Sequence, residues 1–234
     1  MDVEFDPTDE MDKYIKACCL HFKNNNYAIQ INSEASFIKK HLLPFIDEMF
    51  LKSPDKNIIC AMYALCLITI SIWANYYSNR MDGAEQNGRM PDLKLDYKFK
   101  GKPHFAFFVE VKRPGQTSLY QDEGDFVKLL KVMKESINDQ IDLGFEDPAS
   151  LGLLVEDSLL SFDKMCTLKY SKIVNIGYKC ILYIMKIHEE GVYIPVALKK
   201  FVLVEDSENV VNIPAIVESF FFVKIKLEKK LEYR

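Results

Sequence analysis

Two runs in which apolar and charged residues alternate, Asp92–Phe99 and His104–Arg113, flank the segment Lys100-Gly101-Lys102-Pro103. A period of two is the spacing at which side chains emerge on opposite faces of a β-strand, so these runs predict a hairpin closed by a Gly-Pro turn. In the first arm Asp92, Lys94, Asp96 and Lys98 share one face, and Leu93, Leu95, Tyr97 and Phe99 the other. In the second arm Phe105, Phe107, Val109 and Val111 face one way while Glu110 and Lys112 face the other. A sheet is expected to begin at Asp92.

Helical signals dominate before it. Thr8 followed by Asp9 and Glu10 is an N-cap with acids in the first turn and predicts a helix over 9–23, ended by Asn24-Asn25-Asn26. Ser33-Glu34 opens a second apolar-periodic stretch that Pro44 should kink. Ser53-Pro54-Asp55 predicts the start of a third helix, running to about Asn79 and free of charge from Asn57 onward. Residues 57–78 are long enough to raise the alternative of a membrane anchor. Thr69, Ser71 and Asn75 interrupt the stretch, and basic residues on both sides assign no orientation, which favours a helix buried against the sheet.

After Pro114-Gly115 the pattern is helical over 122–142, with Phe126, Leu130, Met133, Ile137 and Ile141 on one stripe and Lys128, Lys131 and Lys134 off it, on a face expected to be solvated. A strand over 151–156, a hairpin pairing 178–187 with 192–204, and a helix from Ile213 to Lys224 complete the chain. The expected fold class is α/β with mixed α+β character: one domain of 234 residues, with N-terminal helices over 1–87, a sheet core with its helix over 88–204, and a C-terminal helix and basic tail over 205–234.

Hydrophobic residues make up 49% of the chain, enough for a single sizeable core. Cys18, Cys19, Cys60, Cys66, Cys166 and Cys180 form no CxxC or Cys/His spacing and read as reduced thiols. With an acidic amino terminus, that points to an intracellular protein, nuclear or cytoplasmic. No glycine-rich phosphate loop or nucleophile motif occurs, so a triad hydrolase or a nucleotide-cofactor enzyme is not expected. The net charge of -4 argues against a protein that coats nucleic acid. Between Arg89 and Arg113, however, seven Lys/Arg face three acids, a local basic stretch in an otherwise acidic chain.

Four acid-x-Lys triplets occur, at Asp92, Asp96, Glu110 and Glu228. Context selects Glu110-Val111-Lys112, because its charges emerge from a strand otherwise aromatic and β-branched, and a buried charge is costly unless it is paired or binds a metal. The hairpin should bring Asp92 alongside Glu110. Two convergent carboxylates, with the Val111 carbonyl as a further oxygen, make a hard-oxygen site suited to Mg²⁺, for which Mn²⁺ can substitute. The plainer reading is a set of cross-strand ion pairs on a solvated sheet face.

Pro91-Asp92 followed by Glu110-Val111-Lys112 resembles the active-site motif of the PD-(D/E)xK nuclease superfamily, the restriction-endonuclease-like proteins. GRMPDLKL, FVEVKRPG and DFVKLLKVMKESINDQI, spanning 88–142, also resemble segments of uncharacterised proteins of early-diverging fungi. The resemblance implies a restriction-endonuclease-like core with a central mixed sheet flanked by helices. It further implies Mg²⁺-dependent cleavage of nucleic acid, DNA foremost, as in nucleases of mobile elements or effectors. Asp92, Glu110 and Lys112 would be catalytic, Asp92, Glu110 and the Val111 carbonyl metal ligands, and Arg113, Lys128 and Lys131 nucleic-acid contacts. Many members carry an acid on the helix before the Asp strand. Asn57 to Asn79 holds none, which leaves Glu48, Asp82 and Glu85 as candidates. The alternative within the same resemblance is a nuclease fold without activity that serves as a binding module.

Overall fold

A computed structural model describes residues 7–24, 33–52, 58–62, 91–99, 102–112, 124–157, 178–189, 191–205 and 207–232. Helix α1, Pro7–Asn24, starts on a proline whose missing N–H costs nothing there, and carries Asp9 and Glu10 in its first turn and His21 and Lys23 in its last. Helix α2, Glu34–His41, is closed by a capping box: Ser36 N–H donates to Ser33 Oγ at 3.1 Å and Ser33 N–H to Ser36 Oγ at 2.9 Å. The kink expected at Pro44 is a full break at Leu42, followed by a short helix α3, Leu43–Ile46, and a π-turn over Asp47–Leu51.

Six strands form one sheet in chain order: β1 Ile58–Met62, β2 Leu93–Phe99, β3 Lys102–Val111, β4 Ala149–Asp157, β5 Tyr178–Glu189 and β6 Val192–Val202. All neighbours are antiparallel except β3 and β4, which run parallel and are joined through helix α4, Asp125–Asp142. The predicted β2–β3 and β5–β6 hairpins are present, the second turning at Gly191 with φ +80°. A C-terminal helix α5, Ile213–Glu232, runs well beyond Lys224.

The first residues of the uncharged stretch differ from expectation. Residues 58–62 are a strand whose backbone pairs with β2, Ile58 opposite Tyr97 and Met62 opposite Leu93, so the sheet begins before Asp92. A short continuous apolar run has no alternation to separate a buried strand from a buried helix, and here pairing with a neighbouring strand decides. Ser53-Pro54-Asp55 and residues 63–79 lie outside the described residues. Among the described residues no helix is long and apolar enough to cross a membrane.

Two cores lie on the two faces of this mixed sheet. Leu93 and Leu95 of β2, Phe107, Val109 and Val111 of β3, and Leu151, Leu153 and Val155 of β4 pack with α1–α3 and α5. The alternate residues Phe108 and Leu154, with Met185 of β5, pack under Leu129, Val132, Met133 and Ile137 of α4. From Phe107 to Val111 the alternation read from the sequence of β3 is realised, with Phe107, Val109 and Val111 on one face and Phe108 on the other, while before Phe107 the register with β2 shifts and Ala106 joins the larger core.

Helix α4 is rotated from the expected stripe. Its buried residues are Leu129, Val132, Met133, Ser136, Ile137 and Gln140, while Phe126 and Ile141 are 37% and 42% exposed. A polar clamp accounts for the rotation: the Gln140 amide donates to the Ala149 carbonyl at 3.0 Å and accepts the Ala149 N–H at 3.1 Å. Both backbone groups of a buried residue are thereby satisfied, which outweighs burying Ile141 instead.

Two buried polar groups knit the other face. Lys224 of α5 donates to Glu10 and to the Tyr14 hydroxyl of α1, the latter at 2.6 Å, so the helix continues through this lysine rather than ending at it. His41 lies against Phe37 and Tyr178, with Nδ1 2.7 Å from the Val204 carbonyl. Nδ1 must carry the hydrogen, and burial pushes the ring's pKa down to about 4.

Gly152 marks a close approach of α4 to the sheet. A Cβ there would lie 2.5 Å from Met133 Sδ and 3.1 and 3.2 Å from the methyls of Leu129. Gly152→Val is therefore expected to lower stability by about 1–3 kcal/mol through overpacking. Urea denaturation checks this, and an unchanged midpoint would mean that the helix is not seated this closely.

Candidate active site at the end of the central strand

The pairing of β2 with β3 sets Leu93 opposite Val109, and continuing that register by one residue sets Asp92 opposite Glu110. Asp92 does not hang free at the start of its strand: its Oδ2 accepts the Val111 N–H at 2.8 Å. On its other edge β3 pairs with β4, Glu110 opposite Leu154, and the Lys112 N–H donates to the Val155 carbonyl at 2.9 Å. The end of β3 is thus held from both sides. Asp92 and Glu110 thus lie at the same end of the β2–β3 pair, where the charge of Asp92 acts on Glu110.

Glu110 emerges toward α4 and is 1% exposed. One of its oxygens, Oε2, accepts from Lys128 Nζ at 2.8 Å, while Oε1 is buried with no hydrogen-bond partner among the described residues. Burial pushes its pKa up to about 8. Lys128 pulls it down, and the charges of Asp92 and Asp125 add to the rise. Asp92 is likewise raised by burial, to about 6, against the Val111 N–H and Lys128 and with the help of Glu34 and Asp125. For Lys128 burial disfavours the charge, but the hydrogen bond to Glu110 and the charges of Glu110, Asp92 and Asp125 outweigh it and hold the pKa above its usual value.

The ammonium beside Glu110 therefore belongs to Lys128, where the sequence pointed to Lys112. Lys128 was expected on a solvated face as a nucleic-acid contact. The rotation that buries Gln140 turns it inward instead, and its side chain is only 25% exposed. Lys112 is partly exposed just past the strand. Lys131 is partly buried on the same helix, Lys134 stands over the Tyr193 ring at 5.1 Å, and Arg113 lies outside the described residues.

Glu34 and Asp125 are acids of this site that sequence reasoning did not select. Each occupies the first turn of a helix, where an acid is ordinary because it complements the helix dipole, so neither carried a distinguishing signal. Of the candidates for a helix acid, Glu48 is paired with Lys52 on the π-turn, and Asp82 and Glu85 lie outside the described residues. Glu34, at the start of α2, is the helix acid whose charge reaches Asp92.

Among the described residues no group of three or more His, Cys, Asp or Glu side chains is gathered as a metal cage. Mg²⁺ does not require one, since it binds through one or two carboxylates and keeps several waters. The buried, unpartnered Oε1 of Glu110 fits a cation, as does the all-oxygen character of the donors. Comparisons of the chain with protein-family models, with curated proteins and with solved structures gave no match.

The raised carboxylates make stability depend on pH in a defined direction. Glu110 binds its proton up to about 8 in the folded protein but only to 4.5 in the unfolded chain. Its contribution is fully present below 4.5 and is lost as pH rises through 8, with Asp92 acting in the same sense between 3.8 and 6. In metal-free buffer, wild type is expected to lose on the order of a few kcal/mol relative to Glu110→Gln between pH 5 and 8.5. Parallel denaturation profiles for the two proteins would remove Glu110 as the source.

Proposed function

We propose that this chain is a metal-dependent phosphodiesterase that cleaves nucleic acid, with DNA the expected substrate and Asp92 and Glu110 at its centre. The observation that carries the reading is the buried Glu110 carboxylate, with one oxygen unpartnered, opposite Asp92 at the end of a central strand. From Asp92 onward the order of elements is the one the resemblance implies, the Asp92 strand end, the Glu110 strand, helix α4 and a parallel strand β4, whereas strand β1 stands between the acid-bearing helix α2 and the Asp92 strand.

Asp92 and Glu110 would hold a divalent cation, Mg²⁺ or Mn²⁺, with the Val111 carbonyl as a further oxygen. When bound, that ion would supply Lewis-acid polarisation of a phosphate oxygen. The Val111 N–H orients Asp92 and keeps its carboxylate from turning away from Glu110. Lys112, two residues past Glu110, brings a positive charge to the strand end, where it orients the attacking water and offsets the negative charge that gathers on the phosphate. The local excess of Lys and Arg around β2 and β3 gives a polyanion a foothold on an acidic protein.

A second reading, a binding module without activity, is favoured by the Lys128–Glu110 ion pair, which already satisfies one oxygen of the proposed ligand. Incubating single- and double-stranded DNA and RNA with wild type, Lys112→Met and Asp92→Asn, in Mg²⁺, Mn²⁺ or EDTA, separates the two. Wild type is expected to cut in Mg²⁺ or Mn²⁺ but not in EDTA, and each variant to be slower by about a hundredfold or more with its fold intact. Intact substrates under every condition with wild type would favour the binding module, and equal cutting by all three proteins would place the activity elsewhere.

A further inference from the structure

Among the charges that act most strongly on Asp92 and Glu110, those of Glu34 and Asp125 are negative and that of Lys128 is the positive one. Asp92 and Asp125 act on Glu110 while Glu34 reaches Asp92, and Glu110, the most deeply buried of these carboxylates, uses the Lys128 ammonium as its partner. The geometry points to Lys128 as a resident counter-ion: its ammonium occupies the cation position beside Glu110 in the metal-free protein, and a divalent cation must displace it to bind. This rests on the reading of Asp92 and Glu110 as a cation site.

Three features suit Lys128 to exchange. Its backbone is fixed, since its N–H bonds the Gly124 carbonyl at 3.1 Å in the first turn of α4, while the flexible four-carbon stem lets the ammonium move. A quarter of the side chain is exposed, so there is a way out. Among the described residues Glu110 is its ammonium's hydrogen-bond partner, with no second anchor.

Lys224 provides the contrast. It is 6% exposed and bonded to both Glu10 and Tyr14, with the Tyr14 ring beneath it at 5.0 Å, a pair built to stay closed. At Glu110, by comparison, a doubly charged ion gains more than an ammonium from every surrounding carboxylate, because the interaction scales with the product of the charges. The unpartnered Oε1 offers that ion an oxygen the lysine leaves unused. Once displaced, the ammonium stands at the rim of the site, where a phosphate would lie, so the same lysine guards the empty site and meets the substrate at the loaded one.

The test uses the intact chain. Lysine acylation of wild type is followed residue by residue by mass spectrometry with and without Mg²⁺, with Lys224 as the internal reference. Labelling of Lys128 is expected to rise about tenfold with Mg²⁺, as a charge-assisted hydrogen bond is released, while Lys224 stays constant. In parallel, calorimetry at pH 8.5, above the Glu110 value, is expected to show Lys128→Met binding Mg²⁺ about tenfold more tightly than wild type. If Mg²⁺ binds wild type yet Lys128 labelling is unchanged, the counter-ion role is wrong and the cation site stands. If Mg²⁺ binds neither protein, both are wrong. The labelling result decides if Lys128→Met does not fold or if the two measurements disagree.

Discussion

A carboxylate that is 1% exposed must find a donor, a cation or a proton, and Glu110 finds one donor for one of its two oxygens. That shortfall arises from where the residue sits. β3 is paired on both edges, with antiparallel β2 on one side and parallel β4 on the other, so its backbone cannot shift to expose the side chain. Its alternation sends Phe107, Val109 and Val111 into one core and Phe108 into the other, and Glu110 must follow Phe108 beneath α4. Moving it by one residue would bury the charge in the larger core and set a valine against the Lys128 ammonium.

Helix α4 is held against the sheet at three points along its length, and each constrains the site. Gln140 clamps the start of β4, Gly152 removes the Cβ that would hold the helix away, and Lys128 reaches down to Glu110 near the other end. The clamp and the close approach set the helix's rotation, and the rotation aims Lys128. A structural amide at one end of the helix thus decides which lysine meets the candidate catalytic acid at the other.

The two buried lysine pairs show how burial and partners divide structure from chemistry. Lys224 ties α1 to α5 with its bonds shared between Glu10 and Tyr14, and the Tyr14 hydroxyl in turn donates to Glu10. Lys128 meets a carboxylate that keeps an unpartnered oxygen and lies in the field of two more acids, Asp92 and Asp125. Removing Lys128 strands a carboxylate that is 1% exposed, in a field of acids that suits another cation, whereas removing Lys224 leaves a Glu10 carboxylate that is 24% exposed and still accepts from Tyr14.

Much of this was legible in the sequence. The alternation of Leu93 to Val111 and the turn between its arms established the hairpin, the burial of one of its faces and the opposition of Asp92 to Glu110. Ser33 and Gly191 marked a helix start and a hairpin turn, and Pro44 an interruption that the structure makes a full break, each through the backbone chemistry of its own residue. Residues 58–62 were not legible as a strand, because an apolar run without alternation fits either conformation until a neighbour supplies its hydrogen bonds. The rotation of α4, the turning of Lys128 rather than Lys112 toward Glu110, and the approach of Glu34 to Asp92 came only with the tertiary structure. The sequence by itself determined what depends on backbone geometry between near neighbours, the period of a strand and the signals at helix ends. Which charge faces which was decided by long-range packing, where burial, a clamp to a distant strand and the register of the sheet compete in a balance that no local window contains.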